Sequence, residues 1–340
     1  MHDSYQKLKR DDLIILDSKL RKNNKVTIVE ISPRDGLPAL GKSLSTEDEV
    51  LFINKLSMAG FKKIECASFL HPRLLPANYN AEKIVEGIKK QPGVTYIGVV
   101  PNEIGCRRAL FTKVDEIMML VAASDAFNKV TMGRTLKETL NKTLPAIFEV
   151  TAKSGRSVRI YILTAFGCPY TGLIAPEEIV QLILKLSYMG AKEISLVDST
   201  GMADPCKIKM LIKKIFDLKL DIKLAVHFHN TRGTAITNCI AAYEAGVRIF
   251  DTSLGGLSGT PYGSMELDLG YWNVPTEDLV YLFEQMGIKT GIDKNLLLEC
   301  VAMAERFAGF PLPGHLLRAN PAKSDEEMPE QIKSAIHLDM

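Results

Sequence analysis

One residue separates His227 from His229 in the segment "LAVHFHNTRGTA". The apolar run before them reads as a β-strand. Alternate residues of a strand share a face, so both imidazoles point one way and Phe228 the other. Two converging imidazoles suggest a metal ion; the ordinary alternative is a pair of histidines satisfied by hydrogen bonds. Other polar side chains stand at comparable places, at or beyond the end of an apolar run. Arg34 and Asp35 follow the first run, Glu65 lies near the end of the second, Asp198 closes the sixth, and Asn273 stands beyond the eighth. Asp35, His227, His229 and Asn273 offer a carboxylate, two imidazoles and a carboxamide oxygen. That mixed N/O set suits Mg²⁺, Mn²⁺ or another first-row divalent ion with open positions. A structural zinc site would more typically use cysteine, and none is in place.

Such groups can meet only if the fold brings many strand ends to one place. Short apolar runs at 26–32, 62–68, 94–100, 116–122, 157–163, 192–198, 222–229 and 247–253 read as eight strands. Helix-period segments lie between them, for example those from Ser45, Ala175 and Gly233, with Gly60, Gly190 and Gly246 as stop signals after three of the helices. Eight β-then-α units in roughly 260 residues predict an α/β fold, a (β/α)8 TIM barrel, with its active residues at the C-terminal strand ends. A doubly wound open sheet would usually carry a Gly-rich phosphate loop after its first strand. The chain has "SPRDGLPALG" there. Residues 1–24 form a polar, helical lead-in, 25–290 the barrel domain, and 291–340 a helical appendage. That appendage has too few apolar residues for a core of its own. It is expected to cover the barrel or to join two copies in a homodimer.

Composition narrows the function classes. The 340 residues are 46% hydrophobic and 24% charged, ordinary for a globular protein, and the net charge of +2 gives no footprint for nucleic acid. No stretch reaches the roughly 18–20 apolar residues of a membrane span, and the N-terminal run is too short for a signal peptide. The scattered cysteines Cys66, Cys106, Cys168, Cys206, Cys239 and Cys300 contain no CxxC pair and read as reduced thiols, so a cytoplasmic protein is expected.

The segments "VEISPRDGLPAL", "IECASF", "GCPYTG", "ISLVDSTGMADP", "HFHNTRGTAITN", "GGLSGTPYG" and "NVPTEDLVYLFEQMG" occur in order between residues 26 and 290. Together they resemble the hydroxymethylglutaryl-CoA lyase family, within a wider group of metal-dependent barrel enzymes that includes Claisen-type synthases. The resemblance implies that Asp35, His227, His229 and Asn273 hold a divalent cation, Mg²⁺ or Mn²⁺. It implies that Arg34 stabilises the enolate oxygen developing as a carbon–carbon bond breaks, with Glu65 and Asp198 near the substrate. The substrate would be an acyl-CoA, cleaved by a retro-Claisen reaction. From residue type alone, Asp35 could equally cap a loop, Arg34 form a surface ion pair, and Glu65 and Asp198 pair inside the barrel as structure. Strand alternation also places Glu30 inside, where an ion-pair role stands level with any other.

The chain departs from the lyase pattern after strand 8, where Thr260 stands at the position of the family's cysteine. A hydroxyl cannot serve as a thiolate at neutral pH. The path to Asn273 is about four residues longer than the lyase pattern and includes Met265, Leu267, Tyr271 and Trp272, which could line an altered acyl pocket or pack the loop. Pro38 and Asn230 also replace the glutamine and aspartate usual in the family. Two readings therefore stand beside the lyase: a Claisen-type acyltransferase joining an acyl-CoA to a 2-oxo acid, and a barrel that binds without turnover.

Overall fold

The computed structural model describes residues 24–40, 44–70, 80–258 and 272–319. Eight parallel strands close into a barrel in sequence order: β1 (Thr27–Glu30), β2 (Lys63–Ser68), β3 (Thr95–Val99), β4 (Glu116–Ala122), β5 (Ser157–Leu163), β6 (Glu193–Asp198), β7 (Lys223–Phe228) and β8 (Ile249–Thr252). Pairing of β1 with β8, Thr27 to Ile249 through Glu30 to Thr252, completes the ring. The expected barrel is therefore present. A parallel sheet covered by helices buries both faces, so its strands read as nearly unbroken apolar runs. Outward residues such as Ile117, Met119 and Val121 of β4 are wholly buried under the helices, while Met118 and Ala122 belong to a second apolar cluster inside the ring. Each such side chain, fully buried, contributes about 1.5–3 kcal/mol.

Helices follow the strands: α1 (Thr46–Met58), α2 (Ala81–Gly87), α3 (Glu103–Leu110), α4 (Asp125–Met132), α5 (Leu144–Ala152), α6 (Pro176–Tyr188), α7 (Pro205–Asp217), α8 (Ala235–Glu244) and α9 (Thr276–Gln285). The Ser45 hydroxyl accepts the Asp48 N–H at 3.0 Å and starts α1, satisfying a donor the first turn leaves open. Gly60, Gly190 and Gly246 have φ of 102°, 105° and 108°, a backbone that lets the chain turn off α1, α6 and α8 as their places in the sequence predicted. A further helix, α10 (Lys294–Ala308), lies against α1 through the Phe52 and Phe307 rings, 5.8 Å apart, and a 2.5 Å ion pair between Lys55 and Glu299. The helix expected to open the appendage is thus fixed to the barrel wall.

One inward assignment is wrong. Val29 and Ile31 are the inward residues, so Glu30 points outward, towards α9. Its carboxyl accepts the Ser32 N–H at 2.9 Å, the Leu254 N–H at 3.2 Å and the Thr276 hydroxyl at 2.7 Å, and no ion pair holds it among the described residues. Burial raises its pKa to about 7 against those hydrogen bonds. Glu277 lies close by, pushed up to about 8 by burial, with the Gly255 N–H as donor at 3.0 Å.

Candidate active site

Inside the barrel, charge is stacked in layers. Strand β5 reads "SVRIYIL", and its alternation sends Arg159, Tyr161 and Leu163 inward at rising height. Near the floor, Lys63 pairs with Glu116 at 2.6 Å and with Glu193 at 2.8 Å. Arg159, fully buried, lies 2.6 Å from Glu193 and 3.3 Å from Glu65, and it also binds Asp251. The Ser195 hydroxyl donates to Asp251 at 2.6 Å, and the Tyr161 hydroxyl to Glu65 at 2.6 Å. Burial by itself opposes the Arg159 charge. Asp251, Tyr161, Glu193 and Glu65 reverse that and hold it protonated well above its ordinary range. An ion taken out of water costs several kcal/mol on its own, so each member of this stack depends on its partners.

Glu65 carries the stack up to the mouth. One of its oxygens takes Tyr161 and Arg159; the other accepts Arg34 Nε at 2.8 Å and Nη2 at 2.5 Å. The register shift between Glu65 and Ala67 in the β2–β3 pairing is a local irregularity of the kind often found beside active sites. Arg34 also donates from Nη1 to Asp35 at 2.9 Å. Burial opposes the Arg34 charge, but Glu65 and Asp35 outweigh it and the guanidinium stays protonated. The other Asp35 oxygen accepts the Asn273 amide at 2.9 Å, and the Asn273 oxygen lies 2.8 Å from His227 Nε2. The His227 and His229 rings stack at 5.0 Å and 21°, so the alternation read from "HFH" holds. Asn273 reaches this group because the chain after β8 bridges back to β7 at His229. Burial, then the neighbouring His227 and Arg34, hold the His229 pKa well below its usual value. The ring is therefore neutral near pH 7, the form that binds metal.

Arg34, Asp35, Glu65, His227, His229 and Asn273 thus meet at one place. Asp198 does not join them. Its two oxygens accept the Met202 and Ala203 N–H groups at 2.8 and 2.9 Å, so the carboxylate shapes the loop after β6. Burial raises its pKa, with those two donors opposing. Asn230 caps the entry to α8, its side-chain oxygen accepting the Ala235 N–H at 3.2 Å. Thr260, with Met265, Leu267 and Tyr271, lies outside the described residues, while Trp272 packs half-buried on the outer core. Arg159, Tyr161 and Asp251 were not singled out from the sequence. The signal was there: Arg159 and Tyr161 sit two apart on one strand, which obliges both to face the same interior.

Whether these residues suit a cation can be tested on their own chemistry. Among the described residues no three His, Cys, Asp or Glu side chains form a ready-made cage; Asn273 stands between Asp35 and His227 and links them. The donor types are nevertheless those of a divalent-metal site, and His227 Nδ1 is buried without a hydrogen-bond partner. Charge agrees. By formal charge, the cations Arg34, Lys63 and Arg159 face the five acidic side chains of Asp35, Glu65, Glu116, Glu193 and Asp251, an excess of two that one divalent ion would balance. The residues fit.

Residues 25–303 match the family model described as HMGL-like. The chain is 36% identical over 294 residues to hydroxymethylglutaryl-CoA lyase YngG of Bacillus subtilis, covering 86% of this chain and 97% of that one. It is 34% identical over 275 residues to the 3-hydroxy-3-isohexenylglutaryl-CoA/hydroxymethylglutaryl-CoA lyase of Pseudomonas aeruginosa, covering 81% and 90%. Among solved structures, an HMG-CoA lyase from Acinetobacter baumannii in complex with coenzyme A and 3-methylmalate superposes with a TM-score of 0.83 at 33% identity, covering 90% of this chain and 98% of that one.

Proposed function

This chain belongs to the HMGL-like family, and we propose that it is a divalent-metal-dependent carbon–carbon lyase acting on 3-hydroxy-3-methylglutaryl-CoA or a close thioester. The observation that carries this reading is the Arg34 guanidinium, gripped by Glu65 and Asp35 beside His227, His229 and Asn273. Its chemistry matches the bond to be broken. Cleavage takes the proton from the tertiary hydroxyl, forms a carbonyl on that carbon, and sends the electron pair of the broken bond to the carbon beside the thioester. That carbon then takes a proton and leaves as the acyl-CoA.

Asp35, His227, His229 and Asn273 would hold the cation, Mg²⁺ or Mn²⁺. A divalent cation held by these residues would supply the Lewis acidity that eases loss of the hydroxyl proton. Arg34 supplies a fixed positive charge for the thioester enolate oxygen. Glu65 positions it with two hydrogen bonds, so little reorganisation is needed when charge develops. Glu65 is itself occupied on both oxygens, which supports a positioning role and not proton transfer. The relatives reported above are lyases, and among the described residues of the site nothing favours condensation with a 2-oxo acid. All six cysteines are free thiols, which supports a reducing, cytoplasmic setting.

The test is mass-spectrometric detection of hydroxymethylglutaryl-CoA cleavage by purified protein with Mg²⁺ or Mn²⁺, against an EDTA control. Metal-dependent release of acetyl-CoA and acetoacetate is expected. Asp35→Ala should lose tightly bound metal in elemental analysis, and unchanged metal content would remove Asp35 from the ligand set.

A further inference from the structure

We propose that Leu120 and Leu163 form the seat for the alkyl group on the substrate's tertiary carbon and thereby limit its size, an inference that rests on the lyase reading above. Strand β4 supplies the first observation. Met119 and Val121 are wholly buried under the helices, yet Leu120 between them is only partly buried and packs on the inner apolar cluster. A side chain that faces a barrel lumen, with helices behind its strand, can be exposed only through the mouth. Leu120 therefore lines open space at the site.

Register fixes what that space adjoins. Leu120 pairs with Tyr161, and Ala122 with Leu163 one step higher. The Tyr161 ring meets the His227 ring edge-on at 5.4 Å, so Leu120 is one side chain removed from the candidate metal ligands. Leu163 is 8% exposed at the strand's upper end, paired with the small Ala122. The donors Arg34, Asp35, His227 and Asn273 come from the β1, β7 and β8 side, and the leucines from the β4 and β5 side.

A tertiary carbon bearing a hydroxyl, a carboxymethyl group and a thioester arm has one apolar substituent left. Its three polar branches need the donor side, so the tetrahedral carbon turns its alkyl group to the opposite wall. Burying that group against leucine is favourable, and two full-sized leucines admit a methyl group more readily than a long chain.

The experiment compares kcat/KM for hydroxymethylglutaryl-CoA with that for the same thioester carrying an isohexenyl group in place of methyl. Wild type, Leu120→Ala, Leu163→Ala, Leu120→Val and Leu120→Phe are assayed with Mg²⁺, and each variant's melting temperature is recorded. The alanine variants should raise the isohexenyl-to-methyl ratio about tenfold or more, and Leu120→Val should raise it by less. Leu120→Phe should raise KM for the methyl substrate. A residue that serves only the barrel's packing would lower both activities together, so ratios within about twofold of wild type would overturn the proposal. If the alanine variants fail to fold, the valine and phenylalanine variants decide. A wild type that retains metal but cleaves neither thioester would overturn the lyase reading, and the seat with it.

Discussion

The two sides of the barrel mouth come from one strand alternation but hold opposite chemistry. On the β1, β2, β7 and β8 side, Arg34, Asp35, Glu65, His227 and His229 point inward and are locked to one another or to Asn273. On the β3 to β6 side Val99, Ala122, Leu163 and Val197 belong to the inner apolar cluster. The polar side is costly to build, because every buried charge needs partners, and the stack from Lys63 to Arg34 supplies them. Packing alone holds the apolar side. The first side is thus rigid in direction and the second tolerant in shape, a division that suits fixed chemistry beside an adjustable acyl group.

Three perturbations test this contrast, beginning with the largest effect. Arg34→Met removes the charge aimed at the developing enolate and should lower kcat by about 10³-fold, some ~4 kcal/mol, while bound metal remains. Steady-state kinetics with elemental analysis checks this, and full activity would take Arg34 out of the mechanism. Arg159→Met attacks the same side from beneath. It takes a shared, fully buried cation away from Asp251, Glu193 and Glu65, so stability should fall by about 3–5 kcal/mol in urea denaturation. A loss as small as that of a surface ion pair would mean the stack is not what supports the mouth.

The third effect lies on the outer face of the barrel, at Glu30 and Glu277. Their folded-state values of about 7 and about 8 exceed the ordinary 4.5, so the folded chain keeps protons that the unfolded chain releases. Stability from these groups is complete below about pH 4.5 and is lost as pH rises through about 8. Denaturation at pH 5, 7 and 9 should show that decline. Glu277→Gln should flatten it by up to about 4 kcal/mol across the interval. An identical slope in both proteins would mean Glu277 does not keep its proton.

How far the site could be read ahead of its structure differs between residues for physical reasons. His227 and His229 were legible because a two-residue spacing on a strand has one geometric meaning. Glu65 was placed correctly in the interior, but its task was not legible, since its partners Arg34, Arg159 and Tyr161 come from two other segments. Asp198 shows the opposite failure. A carboxylate closing a strand reads like a substrate group, yet the loop after it folds back and spends both oxygens on backbone donors. Glu30 was placed inside because β1 is only four residues long, too short for its alternation to be phased without neighbours.

Sequence by itself determined the eight strand–helix units, the helix starts and glycine stops, and which residue types gather at the strand ends. These are local properties, governed by propensity, capping and a period of two residues. Only the tertiary structure decided which charges pair across the barrel, that Asn273 returns to join Asp35 with His227, and which wall of the mouth is left apolar. Those outcomes depend on ring closure, which brings β1 against β8 and sets Arg159 within reach of Asp251, 92 residues further along the chain. No local rule contains that distance.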